Sequence, residues 1–196
     1  MSYFNNLSFR QQFVGLAFLS GFLYLLLFYA VEDLNEEVIT MFLGVLGIGL
    51  IYGLLTLKAL KTKYFAQNTK YIWITLSLFS YATFIAIAIA LGHSGISRPD
   101  PTFISLSLAG LLGALILAIG FRMVIKQNEE TISLVKIILI SLIGGITSII
   151  IILLAHYVTY YSGYYFSYDF ILFSLVYTLW PAIISFILAS NIKKIG

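Results

Sequence analysis

The sequence predicts an all-α integral membrane protein: a bundle of six transmembrane helices with N and C termini on the cytoplasmic side. Three observations carry that prediction. The first is composition. The chain of 196 residues is 61% hydrophobic and 10% charged, with a mean hydropathy of +1.02, whereas soluble domains hold roughly 45–50% apolar and about 25% charged residues. The second is the length of the apolar runs. They extend for about twenty residues without alternating, which suits helices; the strands of a closed barrel, the other fold that satisfies its backbone in lipid, would alternate over ~10 residues. The third is the placement of positive charge. Four of the eleven Lys and Arg residues lie in the run Lys58–Lys70, between two apolar segments. Connectors retained in the cytoplasm carry such an excess.

The elements follow from these markers. Residues 1–8 form a short polar lead, and Arg10 anchors the inner end of a first helix over about 11–31. Its apolar run, Phe13–Val31, is too long for a signal-peptide core and is not followed by small residues at cleavage spacing, so it reads as uncleaved. The acidic turn Glu32–Glu37 leads to helix 2, about 38–57, and the basic connector follows. Helix 3 covers about 71–92. Asp100 and Pro101 read as an N-cap and a first-turn proline for helix 4, about 102–121, because the missing proline N–H costs nothing there. Asn128, Glu129 and Glu130 are placed to cap helix 5, about 131–157, at the positive end of its dipole. A tyrosine-rich connector leads to helix 6, about 169–192, in which Pro181 removes a backbone hydrogen bond and predicts a kink near Tyr177–Pro181. Together these make a single membrane domain over residues 1–196.

This arrangement puts Arg10, Lys58, Lys61, Lys63, Lys70, Arg122, Lys126, Lys136, Lys193 and Lys194 on the inner side and only Arg98 outside. Lys136 belongs to the interface rather than the midplane. Residues 137–155 suffice to cross about 30 Å of hydrocarbon at 1.5 Å per residue, and the lysine stem can snorkel. No predicted helix therefore carries a midplane charge, which disfavours proton relays, voltage sensors and carriers of charged solutes. The net charge of +3 is spread along one face and is not a nucleic-acid footprint. With no cysteine there is no disulfide, thiolate metal site or Cys nucleophile.

Small residues mark close helix packing. Gly49 and Gly53 form a GxxxG in helix 2; Gly110 and Gly113 lie in small-residue rows of helix 4, and Gly144 and Gly145 in those of helix 5. Small residues four apart let backbones approach in lipid, where the hydrophobic effect does not drive association. They serve intrachain packing or contacts with other membrane subunits.

Two leads face outward. His93, Asp100, His156 and Asp169 fall on one membrane face, and imidazole with carboxylate suits a divalent metal, although no two share the spacing of a metal-binding helix. Gly92-His-Ser-Gly95 resembles the GxSG nucleophile motif of the rhomboid intramembrane proteases over those four residues, with Ser94 as nucleophile and His156 as its partner. It departs from that pattern in placing Ser94 at the outer mouth of helix 3, and no Trp-Arg signature stands in the first loop. The second lead is Tyr157–Tyr168, six of whose twelve residues are tyrosines. Tyr160, Tyr161, Tyr164, Tyr165 and Tyr168 read as an aromatic belt or a surface for a partner or lipid headgroup.

The functional expectation is a non-enzymatic protein of the cytoplasmic (inner) membrane: an accessory membrane subunit, or a small permease for a neutral or apolar substrate, with the lipid bilayer as its partner and no cofactor. The alternatives are an enzyme with an outer-face site at His93, Ser94, His156 and Asp169, and a structural subunit of a larger membrane complex.

Overall fold

The computed structural model describes residues 7–32, 46–61, 69–92, 101–125, 132–161 and 168–191. They form six helices and, among the described residues, no strand: α1 (Phe9–Glu32), α2 (Ile48–Lys61), α3 (Lys70–Gly92), α4 (Pro101–Val124), α5 (Leu134–Tyr161) and α6 (Tyr168–Ser190). Four of them, α1, α3, α4 and α5, are long and apolar enough to cross a membrane by length and composition. The other two contribute shorter apolar stretches, Ile48–Leu60 and Ser174–Ser190.

Local chemistry sets the helix ends. At the start of α1, Ser8 and Gln11 make a reciprocal capping box. The Gln11 N–H donates to Ser8 Oγ at 3.3 Å, and the Ser8 N–H donates to Gln11 Oε1 at 2.9 Å. α4 opens on Pro101, the first-turn position expected for it. α5 begins at Leu134 rather than near residue 131. Its cap is Ser133, whose Oγ accepts from the Lys136 N–H at 3.3 Å; the expected caps, Asn128 to Glu130, lie outside the described residues. At its other end α5 runs on past residue 157 through Tyr161, so Tyr160 and Tyr161 stand on a helix and not in a connector. α2 continues to Lys61 because Lys58 is exposed and its charge reaches solvent without breaking the helix. The expected start of α2 at residue 38 falls outside the described residues.

The helices form a closed ring in chain order. Each packs on its predecessor, α6 returns to α1, and α4 touches α6 across the middle. Directions alternate. Phe13, early in α1, meets Trp73, early in α3, and Phe121, late in α4, at centroid distances of 6.1 and 5.6 Å. Arg10 sits 5.2 Å above the ring of Phe186, late in α6. Arg10, Lys58, Lys70, Arg122 and Lys136 accordingly share one end of the bundle, while His156 and the tyrosines of α5 occupy the other.

Unlike a water-soluble bundle, this one is apolar on its outside as well as in its core. The outer surface is lined by large apolar side chains, densest on α5, where Ile138, Ile150 and Leu153 are 57, 57 and 56% exposed. The interior holds ten buried Ser and Thr residues and, among the described residues, no buried charged side chain. Four of these hydroxyls, Ser20, Thr56, Ser148 and Thr159, bond within their own helix, and Ser80, Ser141 and Ser185 bond to a neighbouring one. Thr56 donates to the Tyr52 carbonyl at 2.6 Å and Thr159 to the Ala155 carbonyl at 2.8 Å, the back-bonding that lets a hydroxyl sit where water is absent. Such a distribution suits a surrounding solvent as apolar as leucine itself.

Candidate functional site: a hydroxyl and aromatic core

The small-residue seams bring the ring walls together. On α4 and α5, a Cβ added to Gly110 would meet Ser148 Oγ and lie 2.7 Å from the Gly144 carbonyl oxygen. One added to Gly144 would meet Ala114 Cβ and lie 2.6 Å from the Gly110 carbonyl oxygen. Gly145 faces the Ser107 carbonyl oxygen of α4, at 3.2 Å from such a Cβ. On α2, Gly49 and Gly53 lie against the α3 backbone at Leu78, Ser77 and Ile74. Gly113 instead faces the ring interior, beside Trp180 and Ser80.

One close approach lies outside the glycine rows of α2, α4 and α5. Gly21 of α1 stands against the backbone of Tyr177 and Thr178 in α6, so tightly that a Cβ would strike the Tyr177 carbonyl. Tyr177 is the residue four before Pro181, and its carbonyl is the one that loses its helical donor to the proline ring. The proline sits inside a continuous α6, and the freed carbonyl is turned toward a glycine that leaves space for it. The sequence did hold a signal: Pro181 marks the orphaned carbonyl, and an otherwise unremarked glycine is the complementary partner.

Inside the seams runs a column of aromatic rings. At the basic end Phe9, Phe13, Trp73 and Phe121 stack and tilt against one another at 5.5–6.1 Å. Tyr52 of α2 bridges to Trp73 at 6.1 Å and to Tyr81 of α3 at 5.6 Å. Tyr81 stands edge-on to Trp180 of α6 at 5.9 Å, and Tyr24 of α1 packs edge-on against Tyr177 at 4.8 Å. Trp73 and Trp180 are the only two tryptophans in the chain and are 0 and 1% exposed.

The polar atoms of this column bridge helices. Trp73 Nε1 donates to Thr56 Oγ1 at 3.0 Å, joining α3 to α2. Tyr52 Oη and Ser185 Oγ are 2.8 Å apart, joining α2 to α6 across the ring. Trp180 Nε1 donates to the Gly144 carbonyl at 3.2 Å, and Ser80 Oγ donates to the Gly113 carbonyl at 2.8 Å. Tyr24 and Tyr177 share a side-chain hydrogen bond. Among the described residues two buried hydroxyls, both on α3, have no partner: Ser77 Oγ and Tyr81 Oη.

Of the residues expected on the outer face, only some lie among the described residues. His156 is exposed on α5, and Asp169 lies in the first turn of α6. His93, Ser94 and Asp100 lie outside the described residues, as do Tyr164 and Tyr165. Among the described residues no three His, Asp or Glu side chains come together as a metal site. Tyr157, Tyr160 and Tyr161 are exposed and packed on one another, Tyr157 and Tyr161 at 4.4 Å and Tyr160 and Tyr161 at 5.3 Å. Tyr168 opens α6.

The apolar helices and their apolar outer surface fit the class of polytopic membrane proteins. Comparison with protein-family models, with curated proteins and with solved structures found no match.

Proposed function

We propose that the chain is a six-span protein of the cytoplasmic membrane, with Arg10, Lys58, Lys70, Arg122 and Lys136 on the cytoplasmic face, and that it acts without chemistry as a small permease for a neutral or apolar molecule. The observation that carries the reading is the character of the interior: Ser and Thr hydroxyls and aromatic rings are packed among aliphatic side chains, and no charged side chain is buried among the described residues. Carriers of ions and protons usually place ionisable groups at that depth. Hydroxyl groups can exchange hydrogen bonds with a neutral molecule without the desolvation cost of a charge.

The test is solute flux into vesicles reconstituted with the purified chain, followed by light scattering after osmotic shock with urea, glycerol or benzamide. At least one neutral solute is expected to enter several times faster than into protein-free vesicles, while sodium and chloride enter no faster. Protein-containing and empty vesicles with equal rates for all three solutes would remove the permease reading and leave an accessory subunit, recognisable by a partner that co-purifies in mild detergent.

A further inference from the structure

At the basic end of the bundle the cations are grouped around the aromatic column. Arg10 stands three residues before Phe13 and Lys70 three before Trp73, Arg122 follows Phe121, and Lys58 lies two past Thr56, the acceptor of the Trp73 indole. Phe13, Trp73 and Phe121 pack on one another at 5.6–6.1 Å, so four helices bring a cation to within about a turn of one contact. Lys136, in the first turn of α5, adds a fifth. Arg10, Lys58 and Lys136 are exposed, and Lys70 and Arg122 are half-buried. The acidic residues of the described segments, Glu32 at the end of α1 and Asp169 at the start of α6, belong to the opposite end; Glu129 and Glu130 lie outside the described residues. Beside the cations stand exposed apolar side chains. Ile72 and Tyr71 adjoin Lys70, whose Nζ is 4.7 Å above the Tyr71 ring, Met123 adjoins Arg122, and Leu134 and Val135 adjoin Lys136; the last three apolar residues are 56, 68 and 66% exposed.

We propose that this end is a surface for anionic phospholipid, with the headgroup phosphates held by Arg10, Lys58, Lys70, Arg122 and Lys136 and the acyl chains lying along the apolar side chains beside them. Basic clusters at the ends of membrane helices attract anionic headgroups, and a guanidinium meets a phosphate with paired, charge-assisted hydrogen bonds. The apolar neighbours decide between a lipid and a free anion. A dissolved phosphate would use the charges alone and leave Met123, Leu134 and Val135 in water, whereas a phospholipid presents a phosphate directly above hydrocarbon and meets both. The inference goes beyond the permease reading, because it concerns what surrounds the bundle and not what passes through it.

The experiment reconstitutes the purified full chain in phosphatidylcholine bilayers with a trace of spin-labelled phosphatidylglycerol or, in parallel, spin-labelled phosphatidylcholine. The motionally restricted fraction of each label measures the lipid held against the protein. Phosphatidylglycerol is expected to be preferred about fivefold, the worth of one cation at an anionic surface, and molar salt is expected to shrink that preference. The triple variant Arg10→Gln, Lys70→Gln, Arg122→Gln is expected to bring the two lipids to near parity. Its restricted phosphatidylcholine fraction is expected to match that of the unaltered chain, which shows that the bundle still forms. Equal restriction of both lipids by the unaltered chain would overturn the surface, as would a preference indifferent to salt or one that the triple variant keeps. Displacement of the phosphatidylglycerol label by millimolar inorganic phosphate would also overturn it, since the cations would then be holding a free anion. The permease reading fails separately: lipid preference without solute flux removes the permease and keeps this surface, and solute flux without lipid preference does the reverse.

Discussion

The α4–α5 seam and the centre of the ring hold helices together by opposite means. At the seam, Gly110 and Gly144 bring the α4 and α5 backbones together by having no side chain at all. At the centre, large buried side chains, Trp73, Trp180, Tyr52 and Phe13, fill the space between helices that are not chain neighbours. The difference teaches where specificity resides. Backbone contact through glycine is short-range and tolerates nothing larger, whereas ring packing is adaptable but depends on the few polar atoms that fix each ring. Trp180 connects the two regimes, since its indole N–H donates to the carbonyl of Gly144 and its ring covers Gly113.

Substitutions break the comparison in graded ways, each read from thermal or denaturant unfolding of the purified chain in detergent. The largest effect is expected for Trp180→Ala, about 3–5 kcal/mol, because it opens a large void and also strips the Gly144 carbonyl of its indole donor. Gly21→Ala comes next. The new Cβ meets α6 backbone that has no rotamer to escape into, so overpacking of about 1–3 kcal/mol outweighs the gain in helix propensity of about 1 kcal/mol. Gly15 sharpens this result: a Cβ there meets nothing within 4 Å, so Gly15→Ala is expected to stabilise by up to about 1 kcal/mol. Equal signs at Gly15 and Gly21 would show that α1 does not pack on α6 as described. The smallest effects separate the two central tyrosines. Tyr52→Phe leaves Ser185 without its partner and is expected to cost about 1 kcal/mol, while Tyr81→Phe removes a hydroxyl that has none and is expected to cost nothing.

Hydropathy made the helices legible, because a run of about twenty apolar residues has few other uses. Their ends were less so. Tyr160 and Tyr161 look like a connector by composition, yet near the headgroups a tyrosine serves the helix as well as a leucine, so α5 continues through them. Lys58 and Lys61 likewise look like a boundary and are helical, since a long stem carries the charge outward. Among small residues, Gly49, Gly53, Gly110 and Gly144 stood out through regular spacing, whereas Gly21 is a lone glycine whose partner is a carbonyl freed by a proline more than 150 positions away. The aromatic column was invisible for the same reason. Phe13, Tyr52, Trp73, Tyr81 and Trp180 follow no local pattern, and only the closing of the ring places them together.

The account stands on a bundle that lies across a bilayer with its basic end inside. The chain has no native cysteine, so a single introduced cysteine is a unique reporter. The decisive measurement labels Lys58→Cys and Tyr160→Cys, both exposed and at opposite ends, with a membrane-impermeant maleimide in intact cells and after permeabilisation. The account predicts labelling of Tyr160→Cys in intact cells and of Lys58→Cys only after permeabilisation. Labelling of both from the same side, or the reverse pattern, would contradict it.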